Sequence, residues 1–79
     1  MDEKLTFKYD SDADILVIHK RSPYAEQESE DIADGVIANF NPDTDEIESL
    51  EILFFSKRFQ GKKHFELPIT ADFHLAVKV

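Results

Sequence analysis

Residues 9–18 read YDSDADILVI, an acid-rich bend followed at once by an apolar run. Asp and Ser side chains accept hydrogen bonds from nearby backbone amides, so residues 10–14 favour a turn. Residues 15–18 are apolar at every position, which is typical of a strand covered on both faces. Residues 5–9 alternate apolar and polar side chains, as a half-buried strand does. The stretch therefore predicts a β-hairpin.

Two further apolar runs, residues 36–40 and 47–55, also read as strands. Asp34 and Gly35 tolerate positive φ, so they predict a tight turn at the start of the first run. Pro42 presets φ for a turn between the two runs. Strands joined by such short turns pair antiparallel, and the sheet is therefore predicted to be mainly antiparallel.

The run over residues 47–55 is apolar on both faces toward its far end. Strand alternation puts Leu50, Ile52 and Phe54 on one face. Glu48 shares that face at the start of the run, so we expect its carboxylate to lie outside the centre of the sheet. Phe54 and Phe55 are adjacent, and in a strand they point to opposite faces.

Residues 20–33 are the least regular part of the chain. An edge strand or a loop fits them better than a helix, although a short amphipathic helix over 24–33 stays open. Ser56 is expected to cap a short helical turn that Gly61 ends. Residues 71–79 alternate again and predict a final strand.

Together these elements predict one domain over residues 1–79 with an α+β fold: a mainly antiparallel sheet of four to five strands from sequential β-hairpins, with one short helix. A core of this size gives a net stability of only roughly 3–5 kcal/mol. The chain has no cysteine, which excludes disulfides and thiolate metal sites. A partner is then the expected source of extra stability, and self-association is its simplest form.

Charge restricts the classes of partner. The formal net charge is −8, with −11 over residues 1–51 and +3 over residues 52–79. The net negative charge repels phosphates and argues against nucleic acid as a general partner. In a homodimer, the acidic part of one copy could pair with the basic part of the other. No apolar run approaches the ~18 residues of a membrane span, and the first residues lack the order of a signal peptide. We expect a cytoplasmic protein that binds no membrane.

Three motifs carry a family resemblance: Tyr9-Asp10-x-x-Ala13-Asp14-x-Leu16-x-Ile18, then Asp34-Gly35-Val36-Ile37, then Ile47-x-x-Leu50-Glu51-Ile52-Leu53 running into Ser56-Lys57-Arg58. In this order and spacing they resemble an uncharacterised prokaryotic family catalogued as domain of unknown function 2283. The resemblance implies a small β-rich domain without an established activity, so no catalytic residue carries over. Some members are encoded beside small toxin-like proteins, which implies an antitoxin or binding role. The chain departs from the pattern in its turn at residues 41–45 and in its extension after residue 57.

Asp10, Asp12 and Asp14 match the first three ligand positions of a calcium loop. The sixth position of that loop needs glycine and holds Ile15, and the twelfth needs glutamate and holds Arg21. A solvated hairpin turn is therefore the favoured interpretation. We predict no metal and no cofactor, with these three acids as weak metal candidates.

One alternative is a small acid- and histidine-based enzyme or ligand-binding protein. An imidazole can act as a general acid or base, so His19, with Asp10 and Asp14, would supply that chemistry. His64 and His74 form no metal-binding spacing with it. We predict no catalytic residue, and the alternative requires a pocket that gathers His19 with the two acids.

A further alternative is weak nucleic-acid binding through residues 57–64, where bases surround an aromatic residue. The basic patch consists of Lys57, Arg58, Lys62 and Lys63. Pairing of these cations with the acidic half of the chain, or of a second copy, is favoured over binding to phosphates.

The surplus of phenylalanine points to an interface. Leu53, Phe55 and Phe59 are the interface candidates, although burial under residues 59–66 stays open for the first two. Taken together, the sequence predicts a non-catalytic, homodimeric protein-interaction module. Its acidic surface suits a basic protein partner, and the family resemblance implies an antitoxin-like role.

Overall fold

A computed structural model describes residues 4–76 of the chain as a single five-stranded sheet. The strands are β1 (Thr6–Asp10), β2 (Ile15–His19), β3 (Glu28–Ala33), β4 (Val36–Phe40) and β5 (Ile47–Leu53). Their order across the sheet is β1-β2-β5-β4-β3, and every neighbouring pair is antiparallel. The last strand in the sequence therefore lies at the centre of the sheet.

Three of the four connections between strands are hairpins, which confirms the predicted sequential hairpins. The fourth, residues 20–27, carries the chain from β2 to the far edge of the sheet. Residues 20–33 were predicted to be a loop or an edge strand, and they form both: a connection over residues 20–27 and then the edge strand β3. They contain no helix. Exposed acids at Glu28 and Glu30 on β3 discourage pairing between the edges of separate molecules.

The predicted short helix after Phe55 is not confirmed. Within residues 4–76 the only helical element is a 3-10 turn, Phe55–Lys57, so the fold is nearly all β. Phe54 takes a left-handed conformation with φ 55° and ends the strand before it. Phe54 and Phe55 consequently do not alternate within a strand. Ser56 does not cap the turn but lies within it, and its N–H and hydroxyl both donate to the carboxylate of Asp14.

The predicted final strand is not formed by the part of it that the structure describes. Residues 71–76 lie outside any strand, and residues 77–79 lie outside the described residues. Residues 4–76 nevertheless contain five strands, because β3 forms the edge strand that the sequence left open for residues 20–33. Alternation is typical of a strand, but a strand also needs a neighbour to pair with, which alternation does not specify.

The core lies on one face of the sheet, called here the core face. Its buried centre consists of Val36, Ala38, Leu50 and Ile52, and partly buried Ile32, Ile47, Leu67 and Ile69 pack against it. Residues 67–69 thus help to cover β4 and β5. The expectation that residues 15–18 are covered on both faces is too strong, since β2 is partly exposed along its whole length. That strand does have a neighbour on each side.

Arg58 closes the end of the sheet where β3 turns into β4. Its Nε donates to the carbonyl of Leu53 at 2.8 Å, and its Nη2 donates to the carbonyls of Asp34 and Gly35 at 2.9 and 3.0 Å. Gly35 has φ 71°, as the predicted tight turn requires. A Cβ at Gly35 would overlap the Nη2 of Arg58. The glycine therefore serves both the turn and the close approach of the guanidinium.

Gly35→Ala is expected to destabilise the protein more than Gly61→Ala does. Both glycines have φ near 70°, so both variants carry a left-handed strain of roughly 1–2 kcal/mol. Only the alanine at position 35 also displaces Arg58, since nothing lies within 4 Å of a Cβ at Gly61. Urea unfolding followed by circular dichroism measures the difference. Equal losses of stability would show that Arg58 moves away without cost.

Candidate functional site

The acids at Asp10, Asp12 and Asp14, which are the weak metal candidates, lie in a hydrogen-bonded turn, as the favoured interpretation expects. Asp10 Oδ1 accepts the backbone N–H groups of Asp12 at 3.0 Å and Ala13 at 3.1 Å. Asp14 follows in a left-handed conformation with φ 57°, which aspartate tolerates better than most residues. No group of three or more His, Cys, Asp or Glu side chains within residues 4–76 is placed to hold a metal ion.

Asp14 is the centre of a second set of hydrogen bonds, the Asp14 cluster, formed with Tyr9 and Ser56. Its Oδ1 accepts the Tyr9 hydroxyl at 2.6 Å and the Ser56 N–H at 3.0 Å, while its Oδ2 accepts the Ser56 hydroxyl at 2.8 Å. The Asp14 carbonyl also accepts the N–H of Phe55 at 3.1 Å. The cluster fastens the first hairpin to the chain beyond β5. This contact explains in physical terms why the motif needs Tyr9 and Asp14.

These contacts hold Asp14 in its charged form. The Tyr9 hydrogen bond, followed by those from Ser56, lowers the pKa of the Asp14 carboxyl below its ordinary value of 3.8. The same bond raises the pKa of the Tyr9 phenol above 10.0. At neutral pH the hydrogen bond therefore favours a charged Asp14 carboxylate and a protonated Tyr9 phenol. This is the behaviour of a structural contact.

Tyr9→Phe is expected to raise the pKa of Asp14 toward its ordinary value, because it removes the largest cause of the depression. A carboxyl whose pKa is lowered by folding contributes stability that is complete above pH 3.8 and is lost as the pH falls through the folded-state pKa. The variant should therefore lose stability less steeply in acid than the wild type. Carbon-detected NMR titration of the Asp14 carboxyl and urea unfolding from pH 2 to 6 measure both effects.

The matched variant is Tyr24→Phe, which removes the corresponding hydroxyl from Glu48 and leaves Asp14 untouched. It should shift the titration of Glu48 and not that of Asp14. An Asp14 pKa that is unchanged in Tyr9→Phe would contradict the assignment of the cluster.

Glu48 is buried, contrary to the expectation that it lies outside the centre of the sheet. Its side chain is 4 % exposed. Its Oε1 accepts the Tyr24 hydroxyl at 2.6 Å and the Gln27 Nε2 at 3.1 Å, and its Oε2 lies 3.3 Å from the Nε of Arg21. All three partners come from the connection over residues 20–27. This burial could not be predicted from sequence, since nothing local links a carboxylate to a connection more than twenty residues away.

Burial costs a carboxylate less when donors surround it. The Tyr24 hydrogen bond is the main cause that lowers the pKa of Glu48 below 4.5, against the opposing effect of desolvation. The same bond raises the pKa of Tyr24 to about 12. Glu48 is therefore a charged anchor for the connection, with its oxygens already occupied by partners from the same chain.

The face of the sheet opposite the core, called here the polar face, carries one polar residue from each strand in a single row. The pairing register aligns Thr6, His19, Ser49, Asn39 and Ser29. The Nδ2 of Asn39 donates to Ser49 Oγ at 2.7 Å, and Ser29 donates to Asn39 Oδ1 at 2.5 Å. This network is too polar to form a second hydrophobic core.

Asp10, Asp14 and His19, the residues of the alternative enzyme hypothesis, do not come together in one site. Asp14 precedes β2 and His19 ends it, so they lie on the order of 16 Å apart at a rise of roughly 3.3 Å per residue. Asp14 is engaged with Tyr9 and Ser56, while Asp10 is engaged with the backbone of its own turn. The two clefts formed by residues 62–66 and by Ile47 with residues 67–70 include neither His19 nor these two acids.

The basic patch is divided by the structure. Arg58 is committed to three backbone carbonyls, and its guanidinium lies 5.9 Å from the ring centroid of Phe65. Lys57, Lys62 and Lys63 are exposed. Of the four residues of the basic patch, Arg58 therefore stabilises the fold of its own chain.

The interface candidates lie in two places. Leu53 alternates with the buried Ile52, so it belongs to the polar face, where it is partly exposed. Phe55 and Phe59 join an aromatic cluster with Tyr9 and Phe65, in which the Phe55 ring lies 6.0 Å from Tyr9 and 5.8 Å from Phe59. Phe55 is partly buried there, whereas Phe59 is 40 % exposed.

Comparison with known proteins agrees with the motifs. None of the helices within residues 4–76 is long and apolar enough to cross a membrane. Neither a curated protein nor a solved structure matches the chain significantly. A family model described as "Protein of unknown function (DUF2283)" matches residues 6–56, which include β1 to β5 and the Asp14 cluster. The chain therefore belongs to the DUF2283 family of proteins of unknown function.

Proposed function

We propose that this chain is a non-catalytic, homodimeric protein-interaction module. One observation carries the proposal: the core face continues onto the edge strand β1, where it loses its cover. Through β2, Phe7 is in register with Leu50 and Tyr9 with Ile52. Leu50 and Ile52 are 7 % and 1 % exposed, whereas Phe7 and Tyr9 are 60 % and 49 % exposed.

A second copy is the partner that best explains this surface. Exposed apolar patches of neighbouring large side chains mark interfaces, and an edge strand adds unpaired backbone groups. Leu5, just before β1, is 49 % exposed and extends the patch, and Phe59 reaches its margin through the aromatic cluster. A domain of this size gains most from burying such a patch against itself.

The non-catalytic part of the proposal is supported by the state of the best acid candidates. The carboxylates of Asp14 and Glu48 are each surrounded by donors from the same chain. Catalytic acids and bases are left able to reach a substrate, whereas these two fasten distant segments of the fold. His19 lies in the polar row rather than beside either carboxylate.

A basic protein is the partner that the rest of the surface favours. The acids Glu26, Glu28 and Glu30 are exposed along the edge opposite β1. In an antitoxin-like role, this acidic edge would bind one basic protein. The same charge disfavours nucleic acid, for which the exposed lysines of the basic patch are too few.

Phe7→Asp is expected to convert a dimer into a monomer, because it places a charge at the centre of the proposed interface. Phe54→Asp is the matched control, since Phe54 is also 60 % exposed but lies beyond the end of β5. Light scattering on both variants gives their masses. Both exposed positions should tolerate the change without unfolding, which circular dichroism verifies. A wild type with the mass of one chain, or a dimer that survives Phe7→Asp, would overturn the proposal.

A further inference from the structure

We infer that two copies of the chain pair through β1 in antiparallel orientation about a two-fold axis at Phe7, so that their two sheets join into one. The inference rests on the proposed homodimer and specifies how its interface is built. Its starting point is that β1 is an edge of the sheet and has exposed side chains along its whole length. The opposite edge, β3, carries exposed acids that would repel a second copy of itself.

The backbone of β1 has free groups at the positions of three apolar residues, Leu5, Phe7 and Tyr9, called here the apolar row. Hydrogen bonding in an antiparallel sheet alternates, so that successive residues of a strand bond to opposite neighbouring strands. The Lys20 N–H donates to the Glu48 carbonyl at 3.0 Å, in the register of β2 with β5. Even-numbered residues of β2 therefore bond to β5, and its odd-numbered residues bond to even-numbered residues of β1. The odd-numbered residues of β1 consequently direct their N–H and C=O groups outward, where a second strand can bind them.

Geometry fixes the orientation of the two strands. The apolar row belongs to the core face, because Phe7 is in register with the buried Leu50 through β2. Burial of both rows together requires the two core faces to lie on the same side of the joined sheet. A second copy that meets this condition and turns its free edge toward the first is rotated by half a turn about the sheet normal. This rotation reverses the direction of its strand, so the pairing is antiparallel and each contact occurs twice.

The apolar row selects one register among those that this orientation allows. Residues directly opposite each other in an antiparallel pair lie on the same face, so odd-numbered residues must face odd-numbered ones. With the axis at Phe7, Leu5 faces Tyr9 of the second copy and Phe7 faces its own counterpart, which uses the whole row. An axis at Thr6 leaves Tyr9 without a partner from the row. An axis at Lys8 does the same to Leu5, and axes farther from Phe7 leave more of the row unmatched.

Charge distinguishes the same register from its two neighbours. With the axis at Phe7, Lys4 faces Asp10 of the second copy, and this pair of opposite charges occurs twice. An axis at Thr6 places Lys4 opposite Lys8 of the second copy. An axis at Lys8 places that lysine opposite its own counterpart. Like charges directly opposite each other destabilise a sheet, whereas the register centred on Phe7 sets Lys8 against the uncharged Thr6.

Engineered disulfides determine the register, because the chain has no cysteine of its own. The register centred on Phe7 places Thr6 directly opposite Lys8 of the second copy, and both positions are exposed. Purified Thr6→Cys and tagged Lys8→Cys are mixed, exchanged by dilution and reconcentration, and mildly oxidised. The expected product on a non-reducing gel is the covalent heterodimer of the two variants. Each variant oxidised alone is the control and should give no dimer, since the Cα atoms of its cysteines would lie roughly 7–8 Å apart, too far for a disulfide.

Each outcome separates the inference from the proposed function. A disulfide-linked dimer of Thr6→Cys alone indicates an axis at Thr6, and one of Lys8→Cys alone indicates an axis at Lys8. Either result in place of the heterodimer overturns the inference. A wild type that is dimeric by light scattering while the variants form none of these disulfides also overturns it, and leaves the proposed homodimer standing. A monomeric wild type overturns both.

A change of charge tests the register without oxidation. Lys4→Glu should raise the dimer dissociation constant roughly fivefold or more, because it sets a carboxylate against Asp10 of the second copy in both symmetry-related pairs. Lys8→Glu is the matched control with the same change of charge, and its effect should be distinctly smaller because it faces Thr6. Sedimentation equilibrium measures both constants. An unchanged constant in Lys4→Glu, or an equal increase in Lys8→Glu, would overturn the inference.

Discussion

Ile52→Ala is expected to leave a large fraction of the chain unfolded in the absence of denaturant. Ile52 is 1 % exposed on the central strand β5, between Leu16 of β2 and Val36 of β4. Removing a buried isoleucine side chain to the Cβ costs about 2–5 kcal/mol, through lost burial and the cavity left behind. A domain of this size has a net stability of roughly the same magnitude.

The matched control is Ile37→Ala on the neighbouring strand. Ile37 alternates with the buried Val36 and Ala38, so it lies on the polar face, where it is partly exposed. Its truncation removes the same atoms but leaves little cavity, and the loss should be distinctly smaller. Urea unfolding of both variants by circular dichroism compares them. Equal losses would mean that the core does not lie on the face assigned to it.

Glu48→Lys should abolish the cooperative unfolding transition. The substitution places an ammonium group at a site that is 4 % exposed and opposes it to Arg21. Tyr24 and Gln27 lose their acceptor at the same time, so two partly buried polar groups lose these hydrogen bonds. The connection between β2 and β3 then has no anchor at the sheet.

Glu46→Lys is the control with the identical change of charge two residues away. The Glu46 side chain is 57 % exposed and pairs with Lys20 at the surface, where an ion pair contributes at most about 1 kcal/mol. That variant should keep a cooperative transition close to that of the wild type. Thermal melts followed by circular dichroism distinguish the two, and a folded Glu48→Lys protein would refute the anchoring role of the carboxylate.

Local chemistry was enough to predict the hairpins. The acids over residues 10–14 form a turn because Asp10 accepts neighbouring backbone amides, and Gly35 takes the positive φ that its turn needs. The alternation of residues 5–9 gives β1, and the acids at 28 and 30 mark an edge strand. In each case the interaction that decides the structure lies within a few residues of the chain.

Long-range contacts could not be predicted from the same evidence. Glu48 is buried because a connection more than twenty residues away supplies its donors. Ser56 does not cap a helix as expected, because its hydroxyl donates to Asp14, 42 residues earlier in the chain. The strand pattern at Phe73 lacks a neighbour among the described residues, and alternation alone does not say where a neighbour comes from. The family motif can be identified from the sequence, but the contact between Tyr9, Asp14 and Ser56 becomes visible only in the folded structure.

The most direct test of a homodimeric interaction module is sedimentation velocity of the unmodified chain over a wide range of concentrations at physiological salt. We predict a species with twice the mass of one chain, which dissociates only on dilution. A single species with the mass of one chain at every concentration would contradict the account, since the exposed row at Phe7 and Tyr9 would then have no second copy to cover it.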